Sequence, residues 1–70
     1  MKTMLLKHTK KGTLIRLYET HPEGTLFVRS HYDRSSRMYM LIKESEHHGA
    51  GLYPESAIRY RSGETAVEVA

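Results

Sequence analysis

Short alternations of apolar and polar residues run along most of the chain, and no stretch of ten or more residues has a helical 3.6-residue period. Runs rich in β-branched, aromatic and other apolar residues, bounded by Gly, Pro, Asp and Ser, indicate short strands. The predicted strands cover residues 14–18, 25–32, 38–43, 51–53 and 58–61. A single helical turn is predicted over residues 54–57, because proline is permitted at the first position of such a turn. The pattern therefore predicts an all-β protein.

The clearest pattern is the central hairpin, in which two predicted strands flank a polar turn at residues 33–37. Asp33 and the two serines after it can hydrogen-bond to nearby backbone groups and stabilise such a turn. A register with Tyr32 opposite Met38 places Leu26, Val28, Met40 and Ile42 on the same face as that pair. The other face then carries Phe27, Arg29, His31, Tyr39, Leu41 and Lys43. A slip of one residue would mix Met with Arg on one side, so we expect this register, with the mixed face outward.

The two ends of the chain are less regular than its middle. Residues 1–11 have no clear period and are expected to form a basic N-terminal arm or a strand, and residues 62–70 an edge strand or a tail. Residues 12–61 would then form the body of the domain. Residues 1–18 contain four lysines and one arginine but no acid, which polarises the charge along the chain.

One segment carries a resemblance to a known family. Gly51-Leu52-Tyr53-Pro54-Glu55-Ser56-Ala57-Ile58 resembles the end of an SH3 domain, and Lys11-Gly12-Thr13-Leu14 looks like the start of the first strand in SH3-like nucleic-acid and ribosome-associated barrels. The resemblance implies a small antiparallel SH3-like barrel of about five short strands. The chain has no tryptophan, and its candidate long loop holds only Glu19 and Glu23 as acids. These departures argue against binding of proline-rich peptides.

Size and composition limit the possible functions. Seventy residues make one domain, and the absence of cysteine excludes disulfides and thiolate sites and is consistent with a reducing cytosol. No segment approaches the roughly 18 apolar residues of a membrane span. The apolar run after Thr3 stops at Lys7, far short of the roughly 7–15 residues of a secretory signal. We therefore expect a cytoplasmic protein with no membrane partner.

The mixed face of the central hairpin is the best candidate for a binding site. Aromatic rings stack on bases and guanidinium groups pair with phosphates, so nucleic-acid-binding proteins interleave the two. Phosphate contacts are expected from Arg29, Arg34 and Arg37, and stacking from Phe27, His31 and Tyr39. Lys43 lies on the same face, and Lys10 and Lys11 of the N-terminal segment could contact phosphates without reading sequence. The alternative is an ordinary solvated strand face, where Arg and Tyr are simply good strand residues.

Catalysis and cofactor binding are not expected. His31, Asp33, Ser35 and Ser36 are close in sequence, but an exposed turn lacks the buried acid and oxyanion hole of a hydrolytic triad. The adjacent His47 and His48 lack a metal-binding spacing. The five glycines are scattered and form no phosphate-binding loop. No metal and no cofactor is therefore predicted.

Two other kinds of partner are compatible with the same residues. Tyr and Arg are also preferred anchors of protein interfaces. The chain could therefore be an interaction module, such as a small accessory or inhibitor protein of a phage or other mobile element. A homodimer through a final strand at residues 65–69 is a further possibility.

Overall fold

A computed structural model describes residues 2–18, 24–47 and 53–70 of the chain. The strands are β1 (Lys2–Leu5), β2 (Leu14–Leu17), β3 (Leu26–Asp33), β4 (Met38–Lys43), β5 (Ile58–Ser62) and β6 (Ala66–Val69). Short 3-10 turns occupy Leu6–His8, Glu44–Glu46 and Glu55–Ala57. These ranges contain no α-helix, and they contain no helix long and apolar enough to cross a membrane. The prediction of an all-β protein is confirmed, as is the helical turn that follows Pro54.

The six strands form one antiparallel sheet in the order β1-β6-β2-β3-β4-β5. The sheet is open, with β1 and β5 at its edges, so the expected closure into a barrel is not found. After β1 the chain forms the 3-10 turn Leu6–His8, and this turn hydrogen-bonds to the connection between β5 and β6. Its Leu6 and Lys7 N–H groups donate to the carbonyls of Thr65 (2.8 Å) and Gly63 (3.0 Å), between β5 and β6.

Both ends of the chain belong to the sheet. The N-terminal segment, for which an arm and a strand were both open, forms β1 and pairs with β6 through Met4 and Val67. Strand β6 also pairs with β2 on its other side, where Val67 lies opposite Leu17. The expectation of an edge strand or tail at this position is therefore wrong. Both edges of this strand are hydrogen-bonded within the chain, so it offers no free edge to a second copy.

The hydrophobic core lies on one face of the sheet, called here the core face. Its buried side chains come from four strands and the first 3-10 turn: Leu6, Ile15, Leu17, Phe27, Leu41 and Val67, with Tyr39 packed against them. Phe27 and Leu41 are fully buried, so the hairpin face that was expected to point outward is in fact the core face. The sequence was ambiguous because Val28 and Ile42, on the opposite face of the hairpin, are buried as well.

The hairpin β3–β4 changes register along its length. Phe27 pairs with Lys43 and Arg29 with Leu41, as predicted, but nearer the turn Tyr32 pairs with Tyr39 instead of Met38. The shift is a β-bulge between Arg29 and Tyr32, where two residues of β3 stand opposite one residue of β4. The predicted Tyr32–Met38 pair is therefore wrong at this end of the hairpin.

Three predictions lie outside the described residues. They concern most of the loop at residues 19–24, the end of the loop at residues 44–50, and the beginning of the short strand at residues 51–53.

Candidate nucleic-acid interface

An open cleft of about 480 Å³ lies where the β3–β4 turn approaches the turn between β5 and β6. The residues that line it are Lys7, Tyr32, Arg37, Tyr39, Ser62, Gly63 and Glu64. We call it the tyrosine cleft. Its volume falls within the range of about 300–1,000 Å³ that is usual for small-ligand sites.

The β-bulge in β3 places both tyrosines in the cleft. Because the bulge inserts one residue, Tyr32 shares a face with Tyr39, and their ring centroids are 4.8 Å apart with an interplanar angle of 53°. Tyr39 is partly buried and packs on the core, whereas Tyr32 is 43% exposed. The cleft therefore combines a fixed ring with an accessible one.

Arg29 lies against the ring of Tyr39 on the core face. Its guanidinium carbon is 4.4 Å from the centroid of the Tyr39 ring, which is a cation–π contact. The Nε atom is buried and has no hydrogen-bond acceptor among the residues that the structure describes. A half-buried cation that lacks an acceptor at one nitrogen favours an anion nearby.

Arg37 lines the cleft from the end of the hairpin turn, and its backbone is strained. Its φ of 58° is in the left-handed region, where Arg37 is the one non-glycine residue of the described ranges. That conformation costs an L-residue about 1–2 kcal/mol. Turns usually place Gly or Asn there, so a charged long side chain at this position suggests a functional reason.

Asp33 fixes the turn that carries Arg37. Its carboxylate accepts hydrogen bonds from the Ser35 N–H (3.0 Å), the Ser35 hydroxyl (2.7 Å) and the Ser36 hydroxyl (3.0 Å). These bonds lower the pKa of the Asp33 carboxyl, with the Ser35 and Ser36 hydroxyls as the main causes. The carboxylate of Asp33 is therefore engaged in hydrogen bonds within its own turn.

An ion pair stands at the side of the cleft. Lys7 Nζ donates to Glu64 Oε1 at 2.6 Å, and this hydrogen bond, followed by the charge of Lys7, lowers the pKa of the Glu64 carboxyl. Gly63, the residue before Glu64, packs so closely that an added Cβ would lie 2.9 Å from Lys7 Cβ and 3.1 Å from Tyr39 Cε2. A larger side chain at this position would displace the wall of the cleft.

The predicted site residues separate into two groups. The structure places Tyr39 and Arg37 in the lining of the cleft, and Arg29 stacks on the ring of Tyr39. Phe27 is fully buried, so the expectation that it offers a stacking surface is wrong: its ring fills the core. Lys43 pairs with Phe27 at the opposite end of the hairpin from the turn.

The remaining predicted residues are exposed but do not line the cleft. His31 is in the bulge, where its Nδ1 is 3.3 Å from the Ser30 hydroxyl, and Arg34 is in the hairpin turn. Lys10 and Lys11 are in the turn before β2. That turn lies beside β3, because the Gly12 N–H donates to the Arg29 carbonyl at 2.7 Å.

Four residues on this side of the molecule were missed from the sequence. Tyr32 was assigned to the other face, and the one signal for the bulge is the polar pair Ser30–His31 in mid-strand, where an insertion displaces no core side chain. Lys7 has no such signal, because its partner is 57 residues away. Arg59 and Arg61 pair with Leu41 and Tyr39 across β4–β5 and add two more cations to the core face.

Comparisons of the chain with protein-family models, with curated proteins and with solved structures found no match.

Proposed function

We propose that this protein is a non-enzymatic module that binds RNA or DNA in the tyrosine cleft. The observation that carries the proposal is the pair of tyrosine rings 4.8 Å apart with Arg29 stacked on one of them and Arg37 at the rim. Rings supply stacking surfaces for bases, and cations supply sequence-independent attraction for phosphates. The net charge of +3 assists the approach of a polyanion.

We also propose that the fold is related to SH3-like domains and that the protein acts in the cytoplasm. The hairpin β3–β4, the 3-10 turn at Glu55–Ala57 and the strand β5 follow one another in the order that the resemblance implies. Fold resemblance alone does not assign a function, so the proposal depends on the cleft.

A salt titration tests the proposal. A fluorescently labelled mixed-sequence oligonucleotide is titrated with protein, and anisotropy is measured at about 50 and about 200 mM salt. With three phosphate contacts to a single strand, the affinity should fall about 20-fold between these conditions. Arg37→Ala should weaken binding and reduce the salt dependence. Lys43→Ala removes the same charge at the far end of the hairpin and should change the affinity and its salt dependence much less.

The absence of binding at the lower salt concentration, or an affinity independent of salt, would contradict the proposal. Equal losses in Arg37→Ala and Lys43→Ala would move the binding site away from the cleft.

The opposite face of the sheet favours a second candidate, a protein-interaction module. Leu14 (38% exposed), Met38 and Tyr60 present apolar surface there. Such a module would bind a larger protein partner, as a small accessory or inhibitor protein of a phage or other mobile element does. Co-purification after nuclease treatment separates the candidates: a partner that survives nuclease and is lost in Leu14→Ser favours the second.

A further inference from the structure

We propose that the tyrosine cleft accepts an unpaired strand, with one base stacked on the ring of Tyr32. The inference rests on the proposed function and narrows it to single-stranded nucleic acid, ribose or deoxyribose. The juxtaposition that carries it is an exposed ring, a supporting ring and two cations on different turns around one cleft.

The two tyrosines have different roles in this arrangement. Arg29 lies 4.4 Å from the centroid of Tyr39, and Gly63 approaches the edge of the same ring, so little of Tyr39 is free. Tyr32 rests against Tyr39 at an angle of 53° and keeps 43% of its surface exposed. Tyr39 is therefore the support, and Tyr32 is the surface on which a base can stack.

A ring that offers its face selects unpaired bases. In a duplex each base is covered on both faces by its neighbours, and only the edges are open in the grooves. An unpaired base can turn its face to an aromatic side chain, which is how single strands are commonly bound. The alternative for a duplex is insertion of the hairpin turn, as a β-ribbon, into the major groove. In that case Arg34 at the turn would carry the contact instead of Tyr32.

The cations suit the phosphates on either side of a stacked base. Arg37 approaches the cleft from the β3–β4 turn and Lys7 from the turn after β1, so the two charges come from different elements. Lys7 is held by Glu64, whose side chain is 71% exposed and is able to move aside. A phosphate that enters the cleft competes with Glu64 for the ammonium group.

Three probes of equal length, compared at equal phosphate concentration, separate stacking from charge attraction. They are a mixed-sequence single strand, an abasic strand with the same phosphates, and a duplex that carries the single strand's sequence at matched total phosphate; ribose and deoxyribose forms of the single strand are both measured. At one salt concentration we expect the single strand to bind at least about 10-fold more tightly than the abasic strand and the duplex.

Variants at Tyr32 identify the stacking ring. Tyr32→Ala should weaken single-strand binding about 10-fold and leave abasic binding unchanged, while Tyr32→Phe should keep both. Tyr60→Ala is the matched control, because Tyr60 is 44% exposed on the opposite face of the sheet and should have no effect. Tyr32→Thr also removes the ring, and threonine has a higher strand propensity than alanine. If the Ala variant unfolds, the Thr variant therefore shows whether binding is lost while the fold is kept.

The possible failures are distinguishable. If none of the probes binds, the proposed function is wrong. If all three bind equally and with salt dependence, the proposed function stands and this inference is overturned. Preference for the duplex together with sensitivity to Arg34→Ala would likewise overturn it in favour of groove insertion by the hairpin turn.

Discussion

Arg16 and Arg29 lie in different halves of the sheet and have different surroundings. In the β1–β6–β2 half, Arg16 donates from Nε to the Gly24 carbonyl (3.2 Å) and from Nη1 to Glu68 (3.3 Å), its cross-strand partner. In the β3–β4–β5 half, Arg29 stacks on Tyr39, and its buried Nε has no acceptor in the described part of the chain. Arg16 is hydrogen-bonded across strands, whereas Arg29 is stacked on a ring and its Nε has no acceptor among the described residues.

The same difference appears in the backbone. Strands β1, β6 and β2 pair without interruption, but the other half contains the β-bulge and the left-handed Arg37. Irregularities of this kind cost free energy and tend to be found where a side chain must be aimed. Regular pairing in one half supplies the rigid support, and the irregular half forms the cleft.

The largest expected effect distinguishes core from cleft within a single strand. Phe27→Ala should destabilise the fold by about 3–5 kcal/mol, because it leaves a cavity in the core. Domains of this size have a stability of about 3–5 kcal/mol, so the variant should be largely unfolded at 25 °C by circular dichroism. Tyr32→Ala, at an exposed position of the same strand, should remain folded. A cooperative melt of Phe27→Ala near that of the native protein would show that Phe27 is not a core residue.

The next effect compares the two arginines directly. Arg16→Met should cost about 1–2 kcal/mol in urea unfolding, because the hydrogen bonds to Gly24 and Glu68 are lost and Glu68 is left without this partner. Arg29→Met should leave the free energy of unfolding unchanged or raise it by up to about 1 kcal/mol. The substitution removes a buried Nε that lacks an acceptor, and this gain offsets the lost cation–π contact. The order should be reversed for oligonucleotide affinity: Arg29→Met should bind weakly, and Arg16→Met should bind with nearly native affinity. Equal destabilisation by the two substitutions would remove the distinction between the halves.

The hairpin and its turn chemistry could be predicted from the sequence, because they depend on neighbours close along the chain. Asp33 bonds within three residues of itself, and the register near Phe27 follows from the period-two pattern. The buried face could not be predicted, because both faces of the hairpin carry apolar residues. The choice is made by β2, β6 and Leu6, which are distant in sequence. The cleft could not be predicted either, because it depends on the β-bulge and on a contact between Lys7 and Glu64, which are far apart in the chain.

Backbone strain at Arg37 predicts a trade between stability and binding. Arg37→Gly should stabilise the fold by about 0.5–1 kcal/mol, because relief of the left-handed conformation exceeds the added chain entropy of glycine. The same variant should bind oligonucleotide more weakly. Arg34→Gly is the matched control in the same turn, where φ is not positive, and it should lose about 0.5–1 kcal/mol. Urea unfolding of the two variants with shifts of the same sign would contradict this account of the turn.

The Lys7–Glu64 ion pair should have the smallest effect. The side chains of Lys7 and Glu64 are 43% and 71% exposed, so the pair is screened by solvent and adds little to stability. Because Lys7 lowers the pKa of Glu64 below its usual 4.5, that small contribution is present above about pH 4.5 and is lost as the pH falls through the lowered pKa. Near neutral pH, Glu64→Gln should tighten oligonucleotide binding about two- to five-fold, because Lys7 is released and a negative charge leaves the cleft. Glu44→Gln removes the same charge outside the cleft, after β4, and should have a smaller effect. Anisotropy titrations in which the two variants behave alike would mean that the phosphates do not approach Lys7, and the cation-lined wall of the cleft would then reduce to Arg37.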